Sequence, residues 1–477
     1  MARVLMVASE AAPYAKTGGL GDVLGSLPPA LARLGDEVAV VLPRYRGIGL
    51  PRERVWDNLP IHAGPYSYYV GIDQVIRQGV RFLFIDCPVL YDRDGVYADW
   101  GGDYNDNHIR FSVLCRAAID IARYVFRPDV FHAHDWQAGL LPVYLRENLK
   151  GDPTFLTTPS IFTIHNLGYQ GYFPGLMFGD LGLDRSVLHP EGLEFHSGLS
   201  FMKAGIVWSD AVTTVSPTYA REIQTPDYGF NLDGLLRSRA YKLSGILNGA
   251  DYDEWNPETD DYIVANYSAR NVSPKQSCKL DLLKEMGLPA EADRPLIGIV
   301  SRMAYQKGMD LAAEIVPWLV SQDAALVALG SGEPWLEGTF RTMQDAHPDR
   351  VAVRIGYNEG LAHRIEAGTD MFLMPSRYEP CGLNQIYSLR YGTVPVVRAT
   401  GGLEDTVDDE TGFKFGPLSA GDVVGAMTAA LGAYKNRDAW TTRMRLGMSK
   451  DFSWDASARE YHRLYESARA RMAAAGV

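Results

Sequence analysis

Cysteine is scarce, with four in 477 residues. Cys87, Cys115, Cys278 and Cys381 stand far apart with no Cys-x-x-Cys pair. That excludes a disulfide scaffold or a zinc ribbon and suits a reduced, cytoplasmic protein. Positive charge is also in deficit: 46 Lys and Arg against 58 Asp and Glu leave a net charge of −12. A nucleic acid partner is therefore not expected, because phosphate backbones reward clusters of Lys and Arg. A small anionic ligand needs only a few local cations and stays open. No apolar run approaches the ~18 residues of a membrane span. The opening Met-Ala-Arg-Val-Leu-Met-Val-Ala enters Glu10 without a cleavage-like site, and reads as a first strand rather than a signal peptide. Internal repeats and low-complexity tracts are missing, and the 47 Gly and 27 Pro are spread along the chain. Neither Gly-x-Gly-x-x-Gly nor a Walker P-loop occurs, which weakens the dinucleotide and NTPase readings.

What is present is a rhythm of short apolar runs followed by amphipathic stretches. That pattern predicts βα units and parallel sheets. Strands are expected at 3–8, 37–42, 80–86, 129–133, 159–164, 211–215 and 243–247, with helices at 105–126 and 198–209 among the segments between. A polar, turn-rich stretch from about 249 to 275 interrupts the rhythm and reads as a domain boundary. It restarts with strands at 295–301, 324–330, 351–355, 370–374 and 394–398. A last helix is expected at 454–473, where Tyr461, Leu464 and Tyr465 recur at helical spacing. The expected fold is α/β: a doubly wound Rossmann-like domain over 1–250, a second over 251–453, and a terminal helix over 454–477. Ligands of parallel sheets bind at the carboxyl ends of strands, so function belongs in the loops that follow them.

The first strand leads into Ala-Ala-Pro-Tyr-Ala-Lys-Thr-Gly-Gly-Leu-Gly-Asp. Gly18 and Gly19 allow a ligand close to the backbone, the next helix offers free N–H groups, and Lys16 adds a mobile cation. A diphosphate suits that set. The second domain repeats the logic in Ser-Arg-Met-Ala-Tyr-Gln-Lys-Gly, where Arg302 and Lys307 share one strand-to-helix loop and can stabilise a departing pyrophosphate. Against this stands an ordinary solvated loop with two surface charges. Strand 370–374 delivers Pro-Ser-Arg-Tyr-Glu-Pro-Cys-Gly-Leu-Asn-Gln just before a helix at 383–391. Glu379 there can accept from sugar hydroxyls, or simply cap a turn. Thr400 and Gly401 open a second Gly-Gly-Leu turn at another helix start.

His132 and His134 share one side of a strand end. With no His-Glu-x-x-His and no third ligand nearby, structural or acceptor-site roles come ahead of metal. His165 ends strand 159–164, to line a cleft or to pack as a neutral core residue. Asp251-Tyr-Asp253 has the form of a metal-binding DxD but lies in a turn, and is discounted.

Lys-Thr-Gly-Gly-Leu, Ser-Arg-x-x-x-Gln-Lys-Gly, Glu-Pro-Cys-Gly-Leu and Thr-Gly-Gly-Leu occur in the order and spacing of one signature set. With His-Ala-His-Asp-Trp and Thr-Ile-His-Asn, they make nearly the whole chain resemble the glycogen and starch synthases. The resemblance implies the GT-B arrangement, two Rossmann-like domains facing across a cleft with the C-terminal helix crossing back to the first. It implies transfer of glucose from ADP-glucose to the non-reducing end of an α-1,4-glucan with the α-configuration retained. No metal or other cofactor is implied, ADP-glucose being a substrate. Lys16, Gly18, Arg302 and Lys307 would surround the diphosphate, and Tyr357 would stack on adenine. Glu379 would engage the donor sugar, and the turn Cys381-Gly382-Leu383-Asn384 would contact glucose and phosphate. Asp135 and His165 would lie beside the transferred glucose, and Asp22 and Asn248 are carried over as substrate contacts.

Two departures stand out. Many retaining GT-B enzymes carry a second Glu eight positions after the first, where this chain has Tyr387. Asn384 stands where many bacterial relatives have Thr. The rivals are a UDP-glucose-dependent GT-B transferase, an α-glucan phosphorylase (for which no site for a lysine-linked pyridoxal phosphate is evident), and a silent glucan-binding regulator. For the chemistry, attack by the acceptor on the leaving-group face is expected. Asp135 is the single nucleophile candidate for a double displacement.

Overall fold

The computed structural model describes residues 1–49, 52–100 and 102–474. The chain divides into two compact units: 1–215, 220–249 and the segment from Trp454 onward in the first, 216–219 and 250–453 in the second.

In the first unit the apolar runs form strands, most of them parallel and buried on both faces, as sheets covered by helices require. In chain order they are β1 (Arg3–Val7), β2 (Glu37–Pro43), β3 (Glu53–Ala63), β4 (Tyr66–Arg77), β5 (Val80–Asp86), β6 (Val130–His134), β7 (Ser160–Ile164), β8 (Ala211–Thr214) and β9 (Leu243–Gly245). They make one nine-stranded sheet in the order β9-β8-β7-β6-β1-β2-β5-β4-β3. Strand β1 is central, with Val4 opposite both Val38 and Val130. Helix α1 (Gly19–Arg33) follows β1, and α2 (Asn107–Tyr124) precedes β6. The antiparallel β3–β4 hairpin was not foreseen. Along β3 only Leu59, Ile61 and Ala63 are buried, and its first half is exposed and charged, so the periodic signal is confined to one end.

The terminal helix (Trp454–Ala474) packs into this first unit. Trp454, Ala458, Tyr461, Tyr465 and Ala468 recur every three or four residues and are all buried in the β1–β2–α1 core, with Leu464 packed at its edge. Each fully buried aromatic contributes on the order of 2–3 kcal/mol of transfer free energy. That burial, rather than local propensity, holds the helix there.

The second unit carries β10 (Leu296–Val300), β11 (Ala325–Gly330), β12 (Val351–Ile355), β13 (Met371–Met374), β14 (Val394–Arg398) and β15 (Phe413–Phe415). Its sheet runs β12-β11-β10-β13-β14-β15, and every pairing is parallel. This doubly wound order reverses direction between β10 and β13, which is where such sheets open a crevice. The helices that matter below are α3 (Glu359–Gly368), α4 (Asn384–Arg390) and α5 (Gly401–Thr406).

The polar stretch read as a boundary is packed structure. Trp255 is sandwiched between His363, at 3.8 Å, and Tyr387, at 4.0 Å. Buried Asp260 accepts from His363 Nδ1 at 2.8 Å and from the Tyr391 hydroxyl at 2.6 Å. Asp251 closes a local turn by accepting from the Asp253 N–H, a structural use of the DxD form. Among the described residues no helix is long and apolar enough to cross a membrane.

Candidate active site

The singled-out residues fall into two sets, one per unit, each on loops at the carboxyl ends of strands.

In the first unit, the loop after β1 is organised by a residue that the sequence did not single out. Glu10, 3% exposed, accepts the Thr17 N–H, the Thr17 hydroxyl (2.8 Å), the Gly18 N–H (3.2 Å) and the Tyr97 hydroxyl. The amides of Thr17 and Gly18, ahead of the helix whose N–H groups were expected to face a ligand, are therefore already committed. Lys16 Nζ is 2.6 Å from Asp22 Oδ1, in a pair that is open to solvent. This ion pair assigns Asp22 a place beside Lys16. A Cβ added at Gly18 or Gly19 would meet nothing within 4 Å. Packing therefore does not demand glycine at either position.

At the ends of β6 and β7, adjacent strands, two residues meet. Asp135 Oδ1 accepts the His165 N–H at 2.7 Å, and Asp135 adopts a left-handed backbone, φ +56°. Burial pushes the Asp135 carboxyl up to about 7, against N–H groups of His165 and Asn166 that favour the anion. The His165 ring bonds to His134, Nε2 to Nδ1 at 3.0 Å. His132 is fully engaged, with Tyr465 OH at 2.8 Å from Nδ1 and Thr163 Oγ1 at 2.6 Å from Nε2. Burial lowers His132 and His165 to about 3 and His134 well below its ordinary value. Burial thus favours the neutral form of all three rings near neutral pH. Asn248, past the end of β9, is buried, and its Oδ1 has no protein partner.

In the second unit the loops after β10 and β13 border the point where strand order reverses, and they meet. Lys307 Nζ lies 2.5 Å from Glu379 Oε2, which also accepts from Ser376 Oγ at 3.1 Å. Arg302 is exposed and donates to Gln306 Oε1 at 3.0 Å. Of the two cations read as one set, Arg302 faces solvent and Lys307 is paired with Glu379.

The Glu379 loop is braced against α5. The Gly402 N–H donates to the Glu379 carbonyl at 3.1 Å. Gly401 has φ +46°, and a Cβ there would lie 1.9 Å from the Glu379 carbonyl oxygen. Here glycine is a structural necessity, unlike at Gly18. Thr400 is fully buried. Gly382 has φ +72°, buried Cys381 precedes it, and Leu383 caps α4. Asn384 donates through Nδ2 to the Val300 carbonyl at 2.5 Å, tying α4 to β10. Helix α4 is shorter than expected, beginning at Asn384 and ending at Arg390. Tyr357, after β12, is 75% exposed. Tyr387 fills its position by stacking on Trp255.

Among the described residues, Glu254, Glu359 and His363 bring metal-ligand atoms within 4.8 Å of one another. Burial alone would lower the His363 pKa, but hydrogen bonds and charge from Asp260 and Glu359 outweigh it and raise the ring to about 9. The group reads as an imidazolium held between carboxylates under the Trp255 ring.

Two Rossmann-like domains of the GT-B class, with cations, glycine turns and a buried carboxylate at their strand ends, define a glycosyltransferase. Residues 3–238 match the starch synthase catalytic domain, and 286–446 match the glycosyl transferases group 1. A glycogen synthase from Koribacter versatilis is 48% identical over 475 residues, covering 98% of each chain. One from Myxococcus xanthus is 49% identical over 472 residues, covering 97% of this chain and 98% of its own. The catalytic domain of starch synthase IV from Arabidopsis thaliana, solved bound to ADP and acarbose, superposes with a TM-score of 0.89. It is 33% identical and covers 98% of this chain and 99% of its own. A sucrose-phosphate synthase from Thermosynechococcus elongatus, 17% identical at a TM-score of 0.64 and covering 98% of this chain and 99% of its own, shares the fold. The chain belongs to the glycogen and starch synthase family, enzymes of glucosyl transfer.

Proposed function

We propose that the protein transfers glucose from ADP-glucose to the 4-hydroxyl at the non-reducing end of an α-1,4-glucan, retaining the α-configuration. The observation that carries this reading is the full-length likeness to a starch synthase catalytic domain that binds ADP and acarbose, a nucleotide diphosphate and a glucan-like oligosaccharide. In this proposal the first unit serves the glucan and the second holds ADP-glucose, with Tyr357 stacked on adenine.

The bond from the anomeric carbon to the diphosphate breaks with oxocarbenium character, so the site must favour a cationic ring and an anionic leaving group. Arg302 and Lys307 supply fixed positive charge to the departing diphosphate. Glu379, held by Lys307 and Ser376, is poised for sugar hydroxyls. The His165 carbonyl supports the electron-poor ring. The acceptor hydroxyl attacks on the face that ADP leaves, its proton passing to a phosphate oxygen as the new glycosidic bond forms. Asp135 is assigned to hold the His165 backbone. A carboxyl engaged by two N–H groups and pushed up to about 7 is a poor nucleophile for a double displacement. Fixed cations take the part that a divalent metal plays elsewhere, so activity should persist in excess chelator.

The test is ADP or UDP release from ADP-glucose and UDP-glucose, each with and without glycogen primer. Primer-dependent release from ADP-glucose is expected. Release from UDP-glucose alone would assign a different donor, and release from neither would remove the catalytic reading.

A further inference from the structure

Three buried histidines lie side by side at the ends of β6 and β7, and only one of them has been given a role. The His132 and His134 rings are 4.0 Å apart, and the His134 and His165 rings 5.3 Å. The first ring is anchored on both sides. Tyr465 of the terminal helix holds Nδ1, and Thr163 of β7 holds Nε2 while bonding Thr213 of β8 at 2.5 Å. His134 therefore packs, tilted by 35°, against a ring held in place, and its Nδ1 is 3.0 Å from His165 Nε2.

A neutral imidazole carries one proton, so in this pair one ring donates and the other accepts. Two atoms decide which: His134 Nε2 and His165 Nδ1 are both buried and lack any protein partner. If His165 donated, the spare N–H would fall on His134 Nε2, in a residue with no solvent exposure. If His134 donates, the spare N–H falls on His165 Nδ1, in a residue 8% exposed at the strand end. Either arrangement leaves one buried N–H without a protein acceptor, and only His165, 8% exposed at the strand end, can meet one from outside the chain, so the second arrangement is the less costly.

We propose that His134 is a positioning residue for the transfer reaction, whose Nδ1–H donates to His165 Nε2 and thereby fixes His165 in the Nδ1–H form, with that N–H aimed at a hydroxyl oxygen of the transferred sugar. The inference rests on the reading of His165 as a donor-sugar contact. The terminal helix enters it indirectly, because Tyr465 holds the ring against which His134 packs. An orientation set by packing and a second hydrogen bond is what keeps a contact productive through the reaction.

The test uses the full chain with 15N-labelled histidine. The His165 resonances are assigned by their loss in His165→Asn, and the tautomer is read from its two ring-nitrogen shifts. Wild-type protein is expected to show Nδ1 protonated and Nε2 bare. His134→Phe keeps the ring and loses the donor, so the His165 tautomers should mix and kcat should fall by about tenfold, the size of one hydrogen bond, at little changed KM. His134→Asn places an amide N–H near the lost Nδ1–H and should restore most of both. His134→Gln, with its amide near the Nε2 position, should not, and this pair keeps the test decisive if the Phe variant does not fold. An Nε2–H form of His165 in wild-type protein, or an unchanged tautomer and kcat in His134→Phe, would overturn the proposal. If His165→Asn left kcat intact while the tautomer still followed His134, the role given to His165 would fail and the hold of His134 would stand.

Discussion

Lys307 Nζ and Glu379 Oε2 are 2.5 Å apart, with side chains only 19% and 6% exposed, so the main carboxylate of the second unit is neutralised by the cation next to it. Removing one partner of a buried pair leaves an uncompensated charge and costs about 3–5 kcal/mol, whereas removing both costs less. Lys307→Met should therefore destabilise the protein more than the double variant Lys307→Met/Glu379→Gln, as read by urea unfolding. Transfer activity should fall by at least about a hundredfold in both, because each loses charge aimed at the reacting groups.

Glu10 organises the Lys16 loop without being expected to touch a ligand. Glu10→Ala leaves the Thr17 and Gly18 amides and the Tyr97 hydroxyl without their acceptor. At about 1–3 kcal/mol for such a loss, KM for the nucleotide sugar should rise by roughly tenfold or more. An unchanged KM in initial-rate kinetics would show that the loop holds its shape without the carboxylate.

The glycines of the two Gly-Gly-Leu turns should behave oppositely. Gly401→Ala forces a left-handed backbone and a Cβ 1.9 Å from the Glu379 carbonyl oxygen. The melting temperature should drop by several degrees. Gly18→Ala meets open space and should leave the melting temperature unchanged within a degree or two while weakening nucleotide-sugar binding. Equal thermal shifts in the two variants would contradict this division.

Tyr357, 75% exposed, contributes little to packing, so Tyr357→Ala should change unfolding free energy by no more than ~0.5 kcal/mol. Loss of a base-stacking ring costs about 1–3 kcal/mol, which predicts a KM for ADP-glucose raised by roughly tenfold to a hundredfold. Titration with ADP by calorimetry checks the same quantity without turnover.

The histidine stack makes the first unit sensitive to acid. His132 and His165 have folded values of about 3, below the ordinary 6.5, so the unfolded chain binds more protons between those limits. Their contribution is intact above about pH 6.5 and is lost as pH falls toward 3. Each adds a slope of about 1.4 kcal/mol per pH unit within that window. Over pH 7 to pH 4.5 the wild-type urea midpoint should lose more than that of His132→Gln, the raised Asp135 carboxyl acting in the opposite sense in both. Parallel slopes would assign the acid sensitivity elsewhere.

Much of the architecture was legible in the chain because parallel strands buried on both faces leave continuous apolar runs, as at Arg3–Val7 and Leu296–Val300. The β3–β4 hairpin was not, since its exposed half carries no period. Tyr461 and Tyr465 announced an amphipathic terminal helix, but the core that receives it lies some 450 residues earlier in the chain. The site loops were visible by their glycines and charges. Their partners were not, because Glu10 to Tyr97 and Lys307 to Glu379 are pairings that only folding brings together.

The sequence by itself determined the two βα rhythms, the loops in which chemistry sits and the family, since these depend on local periodicity and on residue order. Only the tertiary structure decided that Lys16 answers Asp22, that Asp135 grips the His165 backbone and that Lys307 pairs with Glu379. It also decided that one glycine pair is dictated by packing and the other is not. Those distinctions turn on distances between segments far apart in the chain, which no local pattern encodes.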